Sequence, residues 1–255
     1  MPVVPRLYFG QMKFIQFPFL LPYVISALIS LSVALFAWQR RTVAGAWQLA
    51  LLATSQAAWT FGFIFELQSE TLATKLFWDN MQFVAALLWP LAFLAFSKAY
   101  VDRPFKRPFR TWTLVTLPFL LFCVLMVTDQ FHGLIRPSVS LIPGEPFDAL
   151  TYEFATAVWL TILYAYALIF YGLFLLLATY MRAQALYRHQ MLMVVIGSLI
   201  PLVGVLLTLV GITVTFQRDT TPFTFAISNL FIAWGLFHYR LFDIVPIARD
   251  AVLMG

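Results

Sequence analysis

Charge is scarce in this sequence: only 11% of its 255 residues are Asp, Glu, Lys or Arg, against about a quarter in an ordinary soluble domain. Cysteine is nearly absent. Cys123 stands alone inside an apolar run, which excludes an internal disulfide and any multi-cysteine metal site. Histidine is limited to His132, in a loop, and His189 and His238, near helix ends on the opposite membrane face. The three cannot converge on one metal, and neither HExxH nor CxxC spacing occurs. A Gly-rich phosphate loop, a nucleophile elbow and a kinase signature are also missing. The last apolar run lacks a lysine that could hold retinal, and the signature motifs of eukaryotic G-protein-coupled receptors are absent. The chain is therefore expected not to be an enzyme, and no cofactor or metal is expected.

What is abundant is apolar surface. Hydrophobic residues make up 62% of the chain and mean hydropathy is +0.87, values that place it in a bilayer. Crossing a hydrocarbon core takes roughly 20 apolar residues. Seven stretches qualify: Phe17–Trp38, Ala44–Leu67, Ala73–Ser97, Trp112–Thr128, Phe154–Tyr180, Met191–Val214 and Pro222–Tyr239. Ten-residue alternating segments are absent, so strands are not expected. The expected fold is an all-α seven-transmembrane helical bundle. Pro90, Pro118 and Pro201 fall inside spans, where neighbouring helices can satisfy the freed carbonyls.

Orientation follows from lysine and arginine. With the N-terminus outside and the C-terminus cytoplasmic, 11 of the 16 basic residues face the cytoplasm. The first span could also be a cleaved signal peptide, but its length and the Arg40–Arg41 pair that ends it favour an anchor. Eight of the 11 acids lie on or just beneath the outer side. Solvated outer loops and inner basic loops against anionic lipid account for most of that asymmetry. The basic residues form no aromatic-interleaved stripe of the kind that binds nucleic acid, so nucleic acid is not an expected partner.

Polar and aromatic residues gather in the outer half. In the third span Trp78, Asp79 and Gln82 share one helical face, with Asn80 about 100° away. Tyr152, Thr156, Trp159 and Tyr166 recur at helical spacing as a single stripe around the fifth span. Trp59 lies in the second span and Asn229 about two turns into the seventh; His132 and Asp219 lie in outer loops. Trp59, Asp79, Asn80, Gln82, His132, Trp159, Asp219 and Asn229 are the candidate ligand-binding residues, because small-molecule sites combine apolar walls with a few placed polar groups. The same residues also suit interfacial anchoring and helix–helix bonding. Asp219 can cap the last helix, whose first turn holds Pro222. In the sixth span Gly197, Gly204 and Gly211 repeat every seven residues, a groove that lets another helix approach, within the bundle rather than across a dimer. Asp79 is the one acid of any depth. A coupled pump needs more, so a small-solute transporter is the alternative and not the first reading.

Several stretches carry a resemblance: Tyr239–Asp250 (YRLFDIVPIARD), Asp219–Pro222 (DTTP), Phe77–Phe96 with its WPLAFLAF ending, and Val127–Leu134 (VTDQFHGL). Together they resemble the N-terminal seven-transmembrane sensor region of bacterial histidine kinases. Asp129 stands where that family's Thr-Asn-x-x-His element has Asn. The resemblance implies a sensory input domain of two-component signalling, in the inner (plasma) membrane, that controls a cytoplasmic output domain and answers an unidentified small-molecule or membrane-borne signal. Residues 1–240 are then the sensor, and 241–255 begin a connector to an output domain, the chain being a fragment or a truncated product. In that connector Arg240, Asp243, Pro246 and Arg249 are the candidate output residues. Pro246 disfavours helix at Val245, and the residues beyond it have the spacing of an amphipathic helix that could pair with a second copy, giving a homodimer through the output domain.

The orientation has a direct test. Lys98–Arg110 holds five basic residues in 13 positions and should resist translocation. Alkaline phosphatase fused after Arg107 should be inactive, and fused after Arg136 active; the reverse pattern would invert the topology.

Overall fold

The structure is a computed structural model that describes residues 16–144, 146–209 and 221–237. Its elements are α1 (Phe17–Gln39), α2 (Ala46–Gln68), α3 (Leu72–Tyr100), α4 (Pro108–Val127), α5 (Asp129–His132), β1 (Val139–Ile142), β2 (Ala149–Tyr152), α6 (Thr156–Arg182), α7 (Ala185–Leu209) and α8 (Thr221–Phe237). Among the described residues five helices, α1, α3, α4, α6 and α7, are long and apolar enough to cross a membrane. α8 is an apolar helix of 17 described residues. α2 is diluted by Gln48, Thr54, Ser55 and Gln56, which the bundle buries or half-buries rather than exposing to lipid, Thr54 excepted.

Each apolar stretch read from the sequence coincides with a helix over its described part, with shifted ends. α4 begins at Pro108, not Trp112, because proline at the first helical position forfeits no hydrogen bond. Strands do occur, against expectation. β1 and β2 form an antiparallel hairpin pairing Val139 with Tyr152 and Ile142 with Ala149. It lies in the long connection between α4 and α6, too short to leave a period-two signal. Gly211, Asp219, and the connector residues Arg240, Asp243, Pro246 and Arg249 lie outside the described residues.

Helix contacts close a ring. α1 packs on α2, α2 on α3, α3 on α6, α6 on α7, α7 on α8, and α8 returns to α1. One apolar core draws on all six of these helices, from Ala34 and Ala53 to Phe93, Leu173, Val194 and Ile232. Lipid tails are as apolar as leucine, so burial alone does not drive helices together; close backbone approach does. The buried stripe of α1 is Tyr23, Ala27, Ser30, Ala34 and Ala37, and that of α2 is Ala46, Ala50, Ala53, Ala57, Thr60 and Ile64. Both alternate steps of four and three, and both are mostly small residues. α4 stands outside the ring, against α3 and α6. It meets them through Trp112, Val115, Phe119, Phe122 and Met126, another seven-residue pattern.

The glycines of α7 serve the bundle. A Cβ on Gly197 would lie 2.7 Å from Ile232 Cγ1 and 3.0 Å from the Ser228 carbonyl, and one on Gly204 would lie 2.6 Å from Thr224 Cγ2. Ser228 Oγ donates to the Gly197 carbonyl at 2.7 Å across the same contact. Gly197→Ala collides with backbone, while Gly204→Ala meets a threonine end that can rotate. Alanine otherwise favours a helix by about 1 kcal/mol. Gly197→Ala should therefore lower the melting temperature in detergent, with an overpacking cost of about 1–3 kcal/mol, and Gly204→Ala should cost clearly less. Equal effects would refute the backbone contact.

Candidate functional site

Polar chemistry concentrates at the end of the bundle that carries the hairpin. Asp79, 7% exposed, sits about two turns into α3. A carboxylate taken out of water needs a partner and further hydrogen bonds. The partner is Arg136, 6% exposed, from the loop after α5. Arg136 Nη1 donates to Asp79 Oδ2 and Nη2 to Asn80 Oδ1, so one planar guanidinium grips two adjacent residues of α3. Tyr152 of β2 donates its hydroxyl to Asp79 Oδ1 at 3.0 Å. Burial, and then the facing Asp79 carboxylate, push the Tyr152 phenol well above its ordinary range, so it remains a donor. The guanidinium also lies 5.4 Å from the Tyr152 ring centre and 5.6 Å from that of Phe83.

Asp129 holds the loop in shape. Its two oxygens accept the backbone N–H groups of Ile135 (2.8 Å) and Arg136 (3.1 Å), and Oδ2 lies 4.0 Å from Arg136 Nε. An asparagine could accept with only one oxygen and would bring no charge. His132 closes the same turn. Its Nδ1 accepts the Leu134 N–H at 3.1 Å, which leaves Nε2–H to donate to Thr128 Oγ1 at 3.0 Å, and that hydroxyl donates to the Val124 carbonyl.

Two apolar plugs seat the segment on the bundle. Ile135 is fully buried among Leu87, Phe122, Met126 and Val158. Phe147 is buried among Leu20, Tyr23, Phe63, Ile64 and Leu67. Gln16 also donates to the Pro146 carbonyl at 3.0 Å. Residues 129–144 and 146–155 thus form a cap bridging the α3–α4–α6 side to the α1–α2 side. Beside it Lys75, with no exposed surface, donates to the Glu66 carbonyl at 2.7 Å and stands 3.7 Å from Glu66 Oε1. On the cap's open face Asp129, Gln130, His132, Arg136 and Ser138 border a shallow groove of about 510 Å³.

The candidates read from the sequence divide. Asp79, Asn80 and His132 belong to the cap and its attachment. Gln82 packs over Gly62, with its Nε2 buried and unbonded among the described residues. Trp59 lies deeper, 5.2 Å from the Phe225 ring. Asn229, with no exposed surface, donates to Ser30 Oγ at 2.9 Å and ties α8 to α1. Trp159 faces outward, 57% exposed, edge-on to Phe154. The single stripe from Tyr152 to Tyr166 does not form, because Tyr152 is in a strand and turns toward Asp79. Arg136, which joins the site together, was absent from the candidates. The available signal was an arginine in the acid-bearing loop after the fourth span, with a deep carboxylate in the third span in need of a cation.

This geometry predicts coupling. Arg136→Ala leaves Asp79 and Asp129 facing a void and should destabilise by about 3–5 kcal/mol. Adding Asp79→Ala to Arg136→Ala should cost much less than Asp79→Ala alone. Thermal unfolding of the four proteins in detergent measures this, and additive losses would exclude the pair.

In a comparison with protein families, residues 22–246 fit the family described as the N-terminal 7TM region of histidine kinase. Among curated proteins none matches. The match spans most of the chain and agrees with its apolar, ring-packed helices. The chain is a multi-pass membrane protein and belongs to the N-terminal 7TM region of histidine kinase family.

Proposed function

We propose that this chain is a sensory input domain with seven spans, its N-terminus and cap outside the inner membrane and its C-terminal connector in the cytoplasm. In this reading an extracytoplasmic or membrane-borne small molecule acts on the cap, and a cytoplasmic output of histidine kinase type responds. The observation that carries it is the cap held to α3 by the Arg136–Asp79–Asn80 contact, because that is a discrete, breakable attachment at the acidic end of the bundle. A ligand in the groove over Asp129 and His132 would compete with it directly. The full pairing of Asp79 also argues against the transporter alternative, which needs an intramembrane carboxylate free to load and unload.

From the cap the signal has a route to the output. Phe147 and Gln16 touch the α1 end. α1 holds α8 through Ser26 Oγ on the Pro222 carbonyl and through Asn229 on Ser30. A tilt or rotation of α8 would then be read by a paired connector beyond Tyr239, around Pro246. Inserting one to four alanines between Asp250 and Ala251, with a histidine kinase output joined after the connector, tests this. Each residue turns a helix by 100°, so output should be lost or locked in a phase-dependent pattern. Wild-type output across the series would reduce the connector to a tether.

A further inference from the structure

The end of the bundle opposite the cap is built differently. At the cap end both described cations, Lys75 and Arg136, are buried and paired with carboxylates. At the other end Arg103, Lys106, Arg107 and Arg110 are exposed, and among the described residues none of them forms an ion pair. Asp102 is the one acid in the α3–α4 turn.

The turn is a tandem repeat, Arg103-Pro-Phe-Lys106 followed by Arg107-Pro-Phe-Arg110. Its two phenylalanines have opposite fates. Phe105 folds inward, with the Lys98 ammonium 4.0 Å from its ring centre and Trp112 edge-on at 5.3 Å. Phe109 projects outward, 87% exposed, the highest value among the exposed large hydrophobic residues. α4 starts here with Pro108 in its first turn, no side-chain cap and no acid, so the first free N–H groups of the helix face the basic cluster without a carboxylate. The positive-inside bias explains why cations are present at such a turn. It does not explain an exposed phenylalanine set between Arg107 and Arg110.

We propose that the α3–α4 turn is a binding site for an anionic phospholipid of the adjacent leaflet. Arg103, Lys106, Arg107 and Arg110 meet the phosphate, with the first turn of α4 as additional donor, and Phe109 enters the acyl region beside it. Arginine suits the phosphate because its planar fork bonds two oxygens at once. The exposed apolar face of α4, including Leu114, Leu117 and Leu121, continues the surface along which the acyl chains lie. This site rests on the chain's membrane placement and is independent of the sensory reading.

The test is binding of fluorescent phosphatidylglycerol to the purified chain in detergent, with phosphatidylcholine and inorganic phosphate as competitors. Replacing the cluster (R103Q/K106Q/R107Q/R110Q) should weaken phosphatidylglycerol on the order of tenfold or more. The charge-keeping R103K/R107K/R110K variant should lose less than the glutamine variant, the part it does lose being that of the bidentate fork, and Phe109→Ser, at a position the fold does not pack, should weaken it severalfold. R182Q/R188Q removes exposed cations elsewhere at the same end and should leave binding unchanged. Unaltered binding by the glutamine variant, an equal loss in R182Q/R188Q, effective competition by phosphatidylcholine, or displacement by millimolar phosphate would each overturn the proposal. If the glutamine variant fails to fold, unchanged binding by Phe109→Ser and by single Arg107→Gln and Arg110→Gln overturns it as well.

Discussion

A charge inside the rim of a membrane bundle must be neutralised by another group of the protein, and that constraint organises the cap end of this molecule. The cation that α3 itself carries near this end, Lys75, is taken up by Glu66; the partner of Asp79, Arg136, comes from 57 residues further along the chain. For its guanidinium to reach Asp79 and Asn80, the segment after α4 has to fold back over the bundle. Asp129 fixes that reversal by accepting two consecutive backbone N–H groups, and Ile135, next to Arg136, fills the apolar space beneath. The hairpin then brings Tyr152 to the second oxygen of Asp79 and carries Phe147 across to α1 and α2. The ion pair thus sets where the cap attaches to α3, while the hairpin pairing and the Ile135 and Phe147 plugs order the rest of it.

Below the cap a different rule holds. In lipid the helices gain little from hiding apolar surface and more from fitting closely. The small-residue stripes of α1 and α2, and the glycines of α7 against α8, provide that fit, and serine and asparagine hydroxyls and amides add short bonds across it. α4 has no such stripe. It uses Trp112, Phe119, Phe122 and Met126, stands further out, and leaves most of its surface to lipid, so its position depends on the turn at one end and the Asp129 reversal at the other.

Helices were legible in the sequence because a bilayer imposes length and apolarity on each one locally. The glycine spacing in α7 was legible for the same reason: a seven-residue repeat is a statement about one helix face. Asp79 could be noticed as a deep acid, and Asn80 and Gln82 beside it. Arg136 could not be assigned, since nothing local distinguishes a loop arginine that solvates from one that folds inward; its partner is 57 positions away. Tyr152 was misread for a related reason. Its spacing from Thr156 and Trp159 mimics a helix, but Glu153–Ala155 lies in an extended link, and the tertiary bond to Asp79 decides the conformation. Trp159 has the composition of a binding residue and the orientation of a lipid anchor, a difference that only the rotation of α6 in the ring determines.

Magnitudes bear on whether such a cap could act as the input of a switch. Turning a two-state population from about 1:99 to 99:1 takes about 5.5 kcal/mol of differential binding. A buried ion pair broken by removal of one partner costs about 3–5 kcal/mol. The Arg136 contact alone is therefore of the right order to hold one arrangement of the bundle, and a ligand that supplied an alternative anion for Arg136, or an alternative cation for Asp79, would recover most of that cost. Such a ligand shifts the balance only by the difference in its affinity for the two arrangements, so a molecule that merely fills the groove without displacing the pair would bind silently. In the sensory reading this makes charge, and not size or apolarity, the property by which the cap should discriminate a signal.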